Sequence, residues 1–145
     1  MASEVIQIVQ KLLDFVNSVP NLPCVVALEY LEETPPAMML QQLSGTKKIK
    51  EDLIGGYTAQ FPFALYVKTF GTSESDKVDA TGTLLNIGDF FDEQTLQGNF
   101  LELGENRQAL KIELKSFPSM VEKSEDNIEI YQAVFMLEYK QRRLI

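Results

Sequence analysis

The sequence predicts an α+β domain in which two helices pack on a mixed, mostly antiparallel sheet of about five strands. The main observation is the stretch Tyr57–Phe70, which contains apolar residues at both alternating sets of positions. One face carries Phe61, Phe63, Leu65 and Val67, and the other carries Ala64, Tyr66 and Phe70. Because neither face is consistently polar, this pattern predicts an interior strand covered on both faces by helices or by another sheet. Helical periodicity over residues 3–18 and 75–91 predicts the two helices.

The length and composition are typical of one globular domain. The chain has 145 residues, of which 45% are hydrophobic, and no linker-like stretch divides it, so residues 1–145 are predicted to form a single domain. Residues 37–56 are a candidate extended arm or hairpin within it. Charge or proline interrupts every apolar run well short of the roughly 18 to 20 residues of a membrane span, and residues 1–20 are periodic, unlike a signal peptide. We therefore expect a soluble protein with no membrane partner.

The charge and the residue types argue against several functions. A net charge of -8 disfavours the basic face that nucleic-acid binding requires. The absence of histidine excludes Ser-His and Cys-His nucleophile pairs and histidine metal sites, and no phosphate-binding glycine loop is present. The single cysteine, Cys24, cannot form an internal disulfide, which agrees with a reducing cytoplasm, and its position favours a small buried hydrophobe. We predict no enzyme activity, no catalytic residue, no cofactor and no metal.

The first half of the chain is predicted to contain helix 3–18, a strand at 24–31, a further strand at 37–43 and a hairpin arm at 48–54. Ser3 is a candidate N-cap, and Pro20 and Pro23 end the helix. Residues 37–43 could form a helix or a strand, and alternation favours a strand. The pair Gly55-Gly56 allows residues 48–54 to fold back on the central strand. Pro62 has no N–H, so it is expected near the strand's start or beside an unpaired position, which leaves residues 63–69 fully paired.

In the second half, residues 75–91 are predicted to form the second helix and residues 92–108 a long connection anchored by Leu96, Phe100 and Leu103. Leu110, Ile112 and Leu114 then alternate with charged residues, which predicts a strand with one wet face. After an acidic loop at 122–126, residues 128–140 form the next strand. Its predicted buried face consists of Tyr131, Ala133, Phe135, Leu137 and Tyr139. These two strands are expected to pair as an antiparallel hairpin.

Two clusters are candidates for contact with a partner. Lys47, Lys48 and Lys50 form the basic cluster in the interior of the chain; they either guard an edge strand, as lysines commonly do, or contact an acidic surface of a neighbouring subunit. Met38, Met39 and Leu40 are either core residues or part of an adaptable interface, where methionine is frequent.

The acidic residues Glu29, Glu32 and Glu33 could in principle be paired acids or ligands of a hard cation. No second cluster is fixed near them by the sequence. An exposed turn is therefore the favoured interpretation, since runs of charge are usually solvated.

Four segments together resemble the tail terminator or minor capsid protein family of tailed bacteriophages. They are residues 60–68 (QFPFALYVK), the helix at 77–91, residues 112–118 (IELKSFP) and residues 130–135 (IYQAVF). The resemblance covers nearly the whole chain, and its motifs are structural. The Phe-Pro-Phe strand matches at residues 61–63 and its basic end at Lys68, where arginine is more frequent, whereas Gly55-Gly56 stands where Asp-Gly is expected. Residues 37–50 fit least well and would form an arm that reaches a neighbour or lines a ring.

The resemblance implies a virion structural protein that takes part in tail assembly and head-tail joining. Its subunits would form an oligomeric ring, expected to be hexameric, that caps the tail tube protein and offers a surface to the head-tail connector protein. The protein would lie at the head-tail junction of the virion and in the host cytoplasm during assembly. Two alternatives remain open, a head-completion or other minor capsid protein and a monomeric cytoplasmic binding module that uses its sheet as a platform.

Overall fold

The computed structural model describes residues 4–43, 47–51, 53, 55–99, 101–104 and 106–142. These residues form two helices and six strands. In chain order they are α1 (Glu4–Asn17), β1 (Val26–Leu28), β2 (Ala37–Gln42), β3 (Lys47–Glu51), β4 (Tyr57–Phe70), α2 (Glu74–Gln97), β5 (Arg107–Lys123) and β6 (Ile128–Gln141).

The strands of the described chain form one sheet with the order β1-β2-β4-β6-β5, and β3 also pairs with β4. The β1–β2 pair is parallel and every other pair is antiparallel. This confirms the predicted α+β class and the mixed, mostly antiparallel sheet, which has six strands where about five were expected. β4 is an interior strand, because β6 pairs along its whole length on one side while β3 and β2 share its other side.

Pro62 lies at the junction between the parts of β4 that pair with β3 and with β2. β3 pairs with residues 57–60 and β2 with residues 63–68, so Pro62 has no ladder partner on that side. Its carbonyl points to this gap and accepts a hydrogen bond from the Leu43 backbone N–H at 3.0 Å. A proline at this junction therefore removes no ladder hydrogen bond. The expectation of an unpaired position beside Pro62 is confirmed, although the strand already begins at Tyr57.

The core lies between the helices and one face of the sheet. Phe91 of α2 lies at its centre, with ring-centroid distances of 6.4 Å to Phe63, 5.4 Å to Phe135 and 5.7 Å to Phe15 of α1. Phe63 and Phe135 are direct cross-strand partners, and their rings stack at 5.4 Å. The predicted inward face of β6, from Tyr131 to Tyr139, is buried at every alternate position. One aromatic cluster thus joins both helices to the two central strands.

The prediction that β4 is covered on both faces was wrong for the described residues. Phe15 of α1 contacts both Phe90 and Phe91 of α2, so the two helices lie side by side on the same face of the sheet. The sequence pattern correctly predicted that both faces of β4 carry apolar side chains. It could not show that the two described helices cover only one of these faces.

Helix α2 is longer than predicted and ends at Gln97. The Ser73 hydroxyl caps its N-terminus by accepting a hydrogen bond from the Asp76 N–H, and Gly98 ends it with φ 73°. Its last residues carry no apolar stripe, and Leu96 is 88% exposed, so periodicity gave no sign of the extra turns and Leu96 is not an anchor. Leu103 is buried as predicted, whereas Phe100 is outside the described residues.

The N-terminal elements match the sequence with one correction. α1, β2 and the β3–β4 hairpin form where they were predicted, although Ser3 is outside the described residues. The strand predicted at 24–31 contains only Val26–Leu28, because Glu29 turns the chain with φ 55°. The Asn17 side chain forms two hydrogen bonds at the start of β1. Its Oδ1 accepts from the Val26 N–H at 2.8 Å, and its Nδ2 donates to the Val26 carbonyl at 3.1 Å.

The predicted inward face of β5 was wrong at one residue. The register with β6 shifts between Ala109 and Lys111, so Ala109 and Ile112 are buried while Leu110 is only half-buried. A bulge of this kind places two residues opposite one and turns the following side chains to the other face. The predicted β5–β6 antiparallel hairpin is confirmed.

We expect Phe63→Ala to lower the free energy of unfolding by about 3 to 5 kcal/mol, because it leaves a cavity beside Phe91 and Phe135. Phe70→Ala, at the exposed end of the same strand, is the matched control and should cost about 0.5 kcal/mol or less. Urea unfolding followed by circular dichroism measures both. Equal midpoints for the two variants would contradict a core centred on this cluster.

Candidate functional site: the open sheet face and the β5 edge

The face of the sheet opposite the helices is not covered by any helix or strand of the described chain. We call it the open face. Its central side chains alternate with the core residues on three neighbouring strands. They are Met39, Gln41, Pro62, Ala64, Tyr66, Gln132, Val134 and Met136.

The centre of the open face is apolar. Ala64 is the direct partner of Val134, and Pro62 is the partner of Met136. Ala64 is buried by its neighbours, while the other three side chains are half-buried. A solvated face of an antiparallel sheet usually carries polar residues at these positions. The open face therefore resembles a surface that another protein covers.

A polar network borders this apolar centre. The Tyr66 hydroxyl donates to Gln41 Oε1 at 2.6 Å and accepts from Gln132 Nε2 at 2.7 Å, which links β2, β4 and β6. Each of the three side chains is therefore held in one orientation. A surface whose side chains are already ordered loses less conformational entropy when a partner binds.

The distal part of β5 is the second exposed feature. β5 lies at the end of the strand order, so one side of its backbone has no strand partner among the described residues. Phe117 is 78% exposed, and Met120 and Val121 are about half exposed. We call residues 115–123 the β5 edge. Long edge strands with exposed apolar side chains are sites at which another chain can pair.

A buried carboxylate fixes the turn end of the β5–β6 hairpin. Glu129 is fully buried, and its Oε1 accepts a hydrogen bond from the Tyr131 hydroxyl at 3.0 Å. The ammonium groups of Lys77 on α2 and Lys123 on β5 each lie 3.6 Å from Oε2. A Cβ at Gly71 would overlap the Glu129 carboxyl group, so glycine is needed there. This arrangement holds the hairpin in a defined position against α2.

The structure separates the residues predicted to contact a partner. Met38 and Leu40 are buried in the core, whereas Met39 lies on the open face opposite Tyr66. Lys47, Lys48 and Lys50 belong to β3, and Lys50 is exposed. β3 pairs with the first residues of β4, so this basic strand lies at a different edge of the sheet from β5.

Sequence reasoning missed two of the exposed features for different reasons. The apolar residues Val134 and Met136 were visible at the non-core positions of β6 and could have been recognised as a second apolar face. The β5 edge gave no such signal, because register shifts after Leu114, Ser116 and Met120 break its alternation. Alternation was therefore recognised only over residues 110–115.

Within the described residues no group of three or more His, Cys, Asp or Glu side chains could hold a metal ion, and Glu29, Glu32 and Glu33 are exposed. Partial burial raises the pKa of the Cys24 thiol, which keeps it protonated and weakly nucleophilic.

A cleft of about 380 Å³ lies beside Arg107. The guanidinium group of Arg107 has a structural role there. Its nitrogens donate to Gln141 Oε1 and Gln7 Oε1, both at 2.7 Å. Arg107 therefore ties α1 to β5 and β6. In the described residues, neither helix has the length and apolar character needed to cross a membrane.

The ionisation of Tyr131 provides a pH test of the contacts at the turn end of the hairpin. Burial raises its pKa above the usual 10.0, and the hydrogen bond to Glu129 and the charge of Glu129 add to this. Since the folded state holds the proton more tightly, this stabilisation is complete below the unfolded pKa and is lost as pH rises through the folded pKa. We expect the unfolding free energy to fall more steeply above pH 10 in the wild type than in Tyr131→Phe, measured by urea unfolding. Identical pH slopes would contradict the proposed environment of this phenol.

Comparison with known proteins does not assign the chain to a family. No protein-family model matches the chain, and no curated protein is significantly similar to it.

Proposed function

We propose that this protein is a non-enzymatic virion structural protein of a tailed bacteriophage, namely the tail terminator. Its subunits would form a ring that covers the last ring of the tail tube and then joins the tail to the head connector. The resemblance of residues 60–68, 77–91, 112–118 and 130–135 to this family supports the proposal. The observation that carries it is the open face, where two central strands present apolar side chains that no described helix or strand covers.

The energetic argument concerns the apolar centre of the open face. Burying apolar surface is favourable by roughly 25 cal/mol per Å², and the half-buried side chains Pro62, Val134 and Met136 have surface left to bury. The ordered Tyr66 network would present hydrogen-bonding groups at the border of the same contact. An apolar centre with a polar border is the usual organisation of a protein interface.

The proposed mechanism needs assembly and no covalent chemistry. A ring requires heterologous contacts that repeat and close, with one side shaped for the tube and the other for the connector. A net charge of -8 would also disfavour adhesion to DNA passing through the opening. The protein would act in the host cytoplasm during assembly and remain in the virion at the head-tail junction.

The open face also supports a second candidate, a monomeric cytoplasmic binding module that uses the sheet as a platform. A head-completion or other minor capsid protein would use the same surface within the virion. These candidates differ from the terminator in one measurable property, which is control of tail-tube length.

We expect the wild-type protein to cap tubes grown from the tail tube protein of the same phage and to stop their elongation. Val134→Glu should abolish capping, because it places a charge at the apolar centre of the open face. Val78→Glu, at an exposed position of α2 on the opposite side of the sheet, is the matched control and should cap normally. Negative-stain images give tube lengths, and thermal melting establishes that each variant is folded. Tubes of unchanged length with wild-type protein would overturn the proposed function.

A further inference from the structure

We propose that the β5 edge of one copy docks on β3 of a second copy, with apolar contacts and with ion pairs between the acidic β5–β6 turn and the lysines of β3. This inference rests on the proposed ring and identifies the surfaces that would close it. The occupant of the β5 edge is thus a second copy of this chain.

The β5 edge ends in an acidic segment. Glu122, Glu125 and Asp126 are exposed and form no ion pair within the described residues. The two lysines nearby are already engaged, since Lys115 lies 2.7 Å from Glu113 Oε1 and Lys123 pairs with buried Glu129. The hairpin end therefore presents uncompensated negative charge next to the exposed apolar side chains of the β5 edge.

β3 has the complementary character. It carries Lys47, Lys48 and Lys50, together with exposed Ile49, and Leu53 after it is fully exposed. In the described part of the chain, β4 is the only strand that pairs with β3. An extended segment that adds to such an edge gains main-chain hydrogen bonds, and its side chains supply specificity.

The two surfaces cannot meet within one copy. β3 pairs with residues 57–60 at the start of β4, whereas Phe70 at its end is opposite Ile128, just after the acidic turn. From Gln60 to Phe70 an extended strand rises roughly 33 Å. The surfaces also lie on opposite sides of β4, because β3 is on the β2 side and β5 is beyond β6.

Contact between different surfaces of two copies is heterologous, and repetition of a heterologous contact gives either a closed ring or an open filament. The opposite positions of the acidic turn and β3 therefore fit the ring that the proposed function requires. Lysines on an edge also discourage non-specific strand pairing. A partner with matching acidic residues would overcome this barrier, and a neutral or basic strand would not.

Charge reversal tests the contact directly. One variant carries Lys47→Glu, Lys48→Glu and Lys50→Glu, and the other carries Glu122→Lys, Glu125→Lys and Asp126→Lys. We expect each alone to lower the apparent association constant for ring formation by about tenfold or more. Light scattering across a protein-concentration series, at low and high salt, measures this effect. The wild-type association should weaken with salt, because salt screens exposed ion pairs.

Rescue distinguishes a direct contact from a general effect of charge. The variant that combines all six substitutions should form rings again, and an equimolar mixture of the two single-patch variants should form mixed rings with an even number of subunits. Asp79→Lys, Asp89→Lys and Glu102→Lys together make the same change in net charge as the reversal of the acidic turn, at exposed positions elsewhere, and should leave assembly unchanged.

The outcomes separate this inference from the proposed function. Wild-type rings that cap tubes, with both reversal variants assembling equally well or with no rescue, would overturn the β5–β3 contact and leave the terminator function standing. Wild-type protein that forms no ring, alone or on tubes, would overturn both.

Discussion

The packing of Phe91 against Phe63 and Phe135 is the interaction on which the rest of the structure depends. It joins α2 to β4 and β6, which pair without a register shift over their whole length, and the contact between Phe15 and Phe91 brings α1 to the same side. Once these rings are buried together, the odd-numbered residues of β4 and β6 must face the helices. The even-numbered residues then face away from the helices. The same packing therefore determines which side chains form the open face.

The position of Phe91 therefore has consequences for assembly. In this chain of 145 residues, both described helices pack on one side of a six-stranded sheet. Apolar residues such as Val134 and Met136 remain on the other side, and the distal part of β5 carries the exposed side chains of Phe117, Met120 and Val121. Each of these features would be unusual for a protein that acts as an isolated monomer, and together they favour a subunit of a larger particle.

Much of this fold could be predicted because its main strands and helices have strong periodicity. The core face of β6 follows from side-chain alternation, and the interior position of β4 follows from the apolar residues on both of its faces. The errors have physical causes that lie outside local periodicity: the last turns of α2 have no apolar stripe, a bulge shifts Leu110, and a positive φ at Glu29 ends β1. The one-sided cover of β4 could not be predicted, since it depends on where the helices pack.

The candidate surfaces were predicted less completely than the fold. The lysines of β3 were recognised from their charge, and the acidic turn was recognised as a loop, but their positions at opposite ends of the sheet could not be predicted from the sequence. Of the Met38–Leu40 segment, only Met39 reaches the open face. Strand register decides this, because a shift of one residue would exchange the two faces.

The most direct test of the central claim, that this chain is an assembly subunit, is its mass in solution. Size-exclusion chromatography with light scattering across a concentration series, followed by negative-stain imaging of the largest species, provides this measurement. The account predicts a discrete oligomer with a central opening that forms as concentration rises. A monomer at every concentration, with or without tail tubes, would contradict it and favour the monomeric binding module.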